Sequence, residues 1–299
     1  MSSGTELAPD VGGEQERRRD DAAAVPRNAP RKPTVTATEN PHAVRIRDVL
    51  LVALTVSTGS VDAISWLGLG KVFSAFMTGN IVFLGFRAGD AAGPSVPHVL
   101  AAVLAFACGA ALAARLVRHT QGDGEVWPRN VTLALAAALV AQATFAILWA
   151  AVGGDPSAGV GDLLIALSAL AMGMQTTAIY SLGVRALFTT AATATLAVLM
   201  GDVAGWSQSR GERGRLFAAI VGLFAGAAIG AALIVHAHTW APLFPLATTA
   251  LVVVTAGLAF KGPRTRRIRE SNPPVQPKHA DQQTRTKPSA SLVAQPFNP

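Results

Sequence analysis

What most constrains this chain is a succession of long apolar runs broken by very few charges. A helix needs about 20 apolar residues to cross a hydrocarbon core roughly 30 Å thick. Residues 97–114, 131–153, 163–184, 216–235 and 243–260 are runs of that kind. Three further apolar stretches come in tighter arrangements. Residues 49–70 and 72–86 are parted only by Lys71, and 187–206 follows 163–184 across Arg185. The expectation is an all-α fold, a polytopic transmembrane helix bundle with eight apolar segments, embedded in a lipid bilayer.

The charges agree with that reading because they are pushed to the ends. Only 14% of the 299 residues are charged and 51% are hydrophobic, too little charge to cover a soluble domain of this size. Residues 1–44 carry six Lys/Arg and seven Asp/Glu, and residues 261–299 carry eight and two. Both tails have little to bury and are expected to be disordered, flanking a membrane domain over 45–261. The net +7 sits beside apolar segments, which points to membrane topology and not to nucleic acid. The lone Cys108 lies inside an apolar run and is expected to pack. Arg17-Arg18-Arg19 is followed by Asp20-Asp21, a poor twin-arginine signal, so the first span is expected to direct insertion.

The positive-inside tendency separates two topologies. Eight full crossings from a cytoplasmic N-terminus would scatter the basic residues evenly. If 49–86 and 163–206 each make one net crossing, as a span plus a re-entrant or broken segment, the result is different. Arg115, Arg118, Arg129, Arg185, Arg210, Arg213 and Arg215 then fall inside, and only Lys71 and Arg87 stay outside. Six net crossings with both termini cytoplasmic is the expectation.

The two unusual pairs also resemble one another. At an offset of 115, residues 59–84 show identities at Ala63/Ala178, Ile64/Ile179, Leu67/Leu182, Gly68/Gly183, Phe73/Phe188, Thr78/Thr193 and Leu84/Leu199. Alanine-rich segments align passably by chance, so the signal is modest. With three net crossings per half, the halves would be inverted repeats, a recurring transporter design with interrupted segments at corresponding positions.

The stretch Gly59-Ser60-Val61-Asp62-Ala63, then Leu67-Gly68-Leu69-Gly70-Lys71-Val72-Phe73, then Met77-Thr78-Gly79-Asn80 resembles the signature of the YoaK-like family of bacterial membrane proteins, domain of unknown function 1275. That pattern is Gly-x-x-Asp-Ala, a Leu-Gly-x-Val-Phe element and Met-Thr-Gly-Asn. The second family element is only partly present, as Gly173-Met174-Gln175-Thr176 and Thr189-Thr190…Thr193-Ala194. The resemblance covers roughly 45–260. It implies a multi-span protein of the bacterial inner membrane and implies no activity.

Asp62 is the carboxylate set deepest in an apolar segment, where an uncompensated charge is costly. It must face a polar cavity, find a partner or be protonated. One reading makes it a coupling or binding site. The other makes it a staple, bonded to the backbone of Thr78, Gly79 and Asn80, small polar residues that let a chain break inside a membrane. Gln175 and Thr193 would face this site from the second half. Gly222, Gly226 and Gly230 form a doubled Gly-x-x-x-Gly expected to pack helices closely, within the bundle or in a homo-oligomer. His236 and His238 are expected in an exposed loop, without a metal. No phosphate loop, nucleophile elbow or His-Glu-x-x-His motif is present, so neither an enzyme nor a cofactor is expected. A small-solute transporter or channel with a mid-membrane site is the leading reading. A scaffold or sensor working through its tails is the second, and an intramembrane enzyme using Asp62 the third.

Overall fold

The computed structural model describes residues 40–118, 125–184, 196–197, 199–201 and 210–260, with side chains from 213 onward in the last segment. Thr193 and both charged tails lie outside these residues. Seven α-helices are defined among them: α1 (Pro41–Gly68), α2 (Met77–Ala88), α3 (Val96–Val117), α4 (Arg129–Ala151), α5 (Ala158–Tyr180), α6 (Arg210–His236) and α7 (Leu243–Ala259). A 3₁₀ turn, His238–Trp240, precedes α7. No strand occurs among the described residues.

The helix starts follow local chemistry. Asn40 accepts a bond from the His42 amide, and Pro41 occupies the first turn, where a missing N–H costs nothing. α1 therefore begins at Pro41, four residues ahead of the expected membrane domain. Proline also marks the starts of α3 and α4. α1 stops where Gly70 and Lys71 take positive φ, at 80° and 63°. Lys71 is there a non-glycine residue in the left-handed region.

All of these helices except α2 are long and apolar enough to cross a membrane, the last together with its 3₁₀ turn, giving six candidate spans. α2 has 12 residues, about 18 Å of helix, too short to span. Two apolar layers show how the spans alternate. At one end Leu50, Val117, Trp127, Val131, Ile179 and Ala256 pack together. At the other, Ile64, Val99, Trp149, Leu164 and Ala241 do. Arg47, Arg115, Arg118, Arg129, Arg213 and Arg215 all belong to the first, basic end. There Asp48 accepts from Arg47 at 3.1 Å and from Arg215 at 3.4 Å, tying α1 to α6. α5 thus ends, and α6 begins, at the basic end. The chain makes six net crossings between residues 41 and 260.

The two halves are inverted copies, α1, α3 and α4 matching α5, α6 and α7. The two most extensive helix interfaces are α1–α6 and α3–α5, which such a pseudo-two-fold axis interchanges. Their glycines make the same contacts. A Cβ on Gly59 would strike Leu223 O and Ala227 N, and one on Gly173 would strike Phe106 O and Ala110 N. A Cβ on Gly226 would strike the Val56 backbone, and one on Gly109 the Leu170 backbone. Gly59 and Gly173 are 114 positions apart, as are Val56 and Leu170. Gly109 and Gly226 are 117 apart, as are Phe106 and Leu223 and Ala110 and Ala227. Between α1 and α5 the three-dimensional match is therefore one residue off the 115 of the sequence alignment. Helix contact register, and not identity, fixes it. Gly230 packs on Ser60, and Gly222 more loosely on the Val52 and Val56 side chains. Side chains such as Leu104, Val140, Ile147, Phe224 and Leu251 remain exposed, forming the apolar surface that a bilayer covers.

Candidate functional site

After α1, the chain turns back into the bundle. Residues 69–76 are largely without regular structure, and Ser74 reaches Ser168, near the middle of α5, at 2.7 Å. α2 starts from this depth. Its Phe83 and Leu84 join the layer at the end opposite the basic one, and Arg87 comes beside Gly93, just ahead of α3. Segment 69–88 is a re-entrant loop followed by a half-length helix. It leaves the chain on the side where α1 ended.

Backbone amides that leave regular structure inside a membrane need partners, and here two side chains supply them. Asp62 Oδ1 accepts from the Ser74 amide at 2.9 Å and the Ala75 amide at 2.7 Å. Asn80, fully buried, accepts from Phe73 N at 3.0 Å through Oδ1 and donates to Phe73 O at 2.7 Å through Nδ2. Ser74 Oγ also meets Ser65 Oγ. Asp62 therefore binds backbone three to four residues ahead of Thr78-Gly79-Asn80. Those three residues do not break the helix; they form the first turn of α2. Gly79 leaves room for the rings of Phe73 and Phe76. Phe73 in turn stacks on Trp66, centroids 4.8 Å apart, and the rings of Phe76 and Phe83 flank it. Thr78 is exposed.

Gln175 is buried on α5 and turns toward α1. Its Nε2 donates to Thr58 Oγ1 at 3.0 Å and to Leu54 O at 3.4 Å, while Oε1 has no partner among the described residues. Thr58 is one helical turn before Asp62, so Gln175 packs on the α1 face that carries Asp62, and neither residue lines the cleft between the halves.

The cavity lies beside them. A narrow cleft of about 10 Å³, the room of a single water molecule, opens between the two halves. The first half lines it with Val61, Ile64, Gln142 and Phe145, and the second with Ser168, Met172 and the start of α7 at Pro242, Pro245 and Leu246. It runs from Gln142, in mid-helix, to the end opposite the basic one. Gln142 is only 6% exposed, and neither its Nε2 nor its Oε1 has a partner among the described residues. Sequence reasoning missed this residue. The signal was there, a single amide in the middle of the apolar run Ala138-Leu139-Val140-Ala141-Gln142-Ala143, and polar groups at such depth mark function.

His238 is not a free loop histidine. Its carbonyl accepts from Trp149 Nε1 at 3.0 Å and its ring lies against Trp149, centroids 5.2 Å apart. This closes the cleft end of α4 against the 3₁₀ turn.

Comparison with known proteins agrees with a membrane-spanning chain. The family model described as "Protein of unknown function (DUF1275)" matches residues 50–255. The chain is 38% identical to the UPF0700 transmembrane protein YoaK of Bacillus subtilis (strain 168) over 163 residues, 54% of this chain and 70% of that protein. No solved structure matches.

Proposed function

The chain belongs to the DUF1275 family, and on that premise we propose that this multi-pass membrane protein is a small-solute transporter or channel, not an enzyme. The observation that carries the reading is the cleft between inverted halves, each contributing walls, with Gln142 buried in it. Transporters built of inverted repeats place their solute at the repeat interface near the midplane, beside an interrupted segment. Here the interrupted segment is 69–88, held by Asp62 and Asn80 and joined to the cleft wall through the Ser74–Ser168 bond. Asp62 and Asn80 thus act by positioning the loop, and Gln175 by fixing α5 on α1. A scaffold or sensor working through its tails has no need of such a cleft.

The clustered arginines support a reading in which the basic end, and with it both tails, faces the cytoplasm across a bacterial inner membrane. Moving a solute requires the cleft to open in turn to each side. A Met172→Cys variant in a Cys108→Ala background tests this with an impermeant thiol reagent on right-side-out and inverted vesicles. Labelling from both sides is expected. Labelling from one side alone, under every condition tried, sinks the transport reading.

A further inference from the structure

The chemistry of the cleft restricts what it can hold. Its walls carry no charged side chain; they are aliphatic, aromatic and proline surfaces, with Ser168 and Gln142 as the polar members. Ser168 spends its proton on Ser74. What is left is the Gln142 amide, buried, with a donor and an acceptor side by side and both unmatched. A buried amide without partners costs about 1–3 kcal/mol, and the apolar alternative at this position, leucine, is abundant in the surrounding run. An ion brought here would lose its hydration with no countercharge in the walls to replace it. A neutral group with its own adjacent donor and acceptor would close a two-bond pair with Gln142 and satisfy both.

We propose that Gln142 is the recognition residue of this cleft and that its ligand is a small neutral solute bearing a carboxamide- or urea-type group. The proposal rests on the transport reading for its purpose, though not for its measurement. Binding to a purified protein at equilibrium needs no movement across a membrane. The cleft as it stands has the room of one water molecule, so binding requires its walls to part, and the smallest members of the class fit best.

The experiment is equilibrium dialysis of the full chain in detergent with radiolabelled acetamide and urea. Acetate and guanidinium, their near-isosteric charged counterparts, serve as competitors. Saturable binding of the neutral pair, unaffected by either ion, is expected. Gln142→Leu should weaken it by about tenfold or more, as loss of two hydrogen bonds implies, while melting at or above the native temperature, which shows the fold intact. Gln142→Asn should retain measurable binding. Displacement by acetate or guanidinium overturns the neutral class. Absence of binding, or binding equal in Gln142→Leu, overturns the site and leaves the amide holding water only. If binding fails while Met172→Cys still labels from both sides, the transport reading stands and only the ligand class is wrong.

Discussion

Two polar clusters are buried in this bundle within two helices of each other, and they are finished to different degrees. Around the re-entrant loop, Asp62 and Asn80 meet the amides of Ser74 and Ala75 and both backbone groups of Phe73 at 2.7–3.0 Å. In the cleft, Gln142 meets nothing among the described residues. Both cases put polar atoms where water is scarce, and the difference is what those atoms do with their bonding capacity. The loop cluster uses it to hold an irregular backbone at mid-depth, so its polarity is internal to the fold. The cleft amide keeps its capacity free, which is what the proposed solute-binding role requires. Depth in the membrane alone does not distinguish the two clusters; their hydrogen bonding does.

Removing the acceptor from the loop should have the largest effect. Asp62→Leu leaves two amides unmatched at roughly 1–3 kcal/mol each, an expected loss of about 2–6 kcal/mol read as a lower detergent melting temperature. Asp62→Asn keeps an acceptor oxygen and should lose about 1 kcal/mol or less. If the leucine variant melts like the native protein, the loop does not depend on the carboxylate and the contrast with the cleft disappears.

Asn80→Leu comes next, at about 2–4 kcal/mol, because Phe73 loses a donor and an acceptor together. Protease sensitivity appearing within residues 69–76 would localise the damage, and cleavage elsewhere would contradict it. The cleft should respond with the opposite sign. Gln142→Leu removes an unmatched buried amide and should raise stability by about 1–3 kcal/mol. A fall of that size would mean the amide is bonded after all, which breaks the comparison at its centre. The smallest effect is expected at Thr78, exposed on α2, where Thr78→Val should stay within about 0.5 kcal/mol. A larger loss would bring this hydroxyl into the loop cluster.

Much of the architecture could be read without coordinates. Six crossings followed from where the arginines fall between apolar runs, because moving a cation across hydrocarbon is costly and insertion leaves it behind. The interrupted stretch 49–86 could be recognised as a span plus a re-entrant or broken piece because only then do most of the basic residues fall on one side. The break itself was misplaced. Thr78-Gly79-Asn80 has the composition of a kink, yet it opens α2, and the irregular backbone lies at 69–76, whose Val72, Phe73 and Ala75 look like ordinary apolar residues. The side chains that allow the irregularity come from outside the segment, and local composition does not report them.

The sequence by itself determined the class and the topology of this protein, since both depend on sums along the chain, apolar length per segment and basic charge per connection. Which polar residue is bonded to the backbone and which is left unmatched was decided by tertiary structure. Asp62 and Gln142 are alike in sequence, each a carboxylate or amide side chain set deep in a mostly apolar helix. They differ because one packs against exposed amides of a re-entrant loop and the other against the gap between two inverted halves. The repeat register shows the same division. Identities placed α1 on α5 at 115, whereas the glycine contacts place it at 114, because a glycine's place against a neighbouring backbone is set by helix crossing and leaves little trace in residue identity.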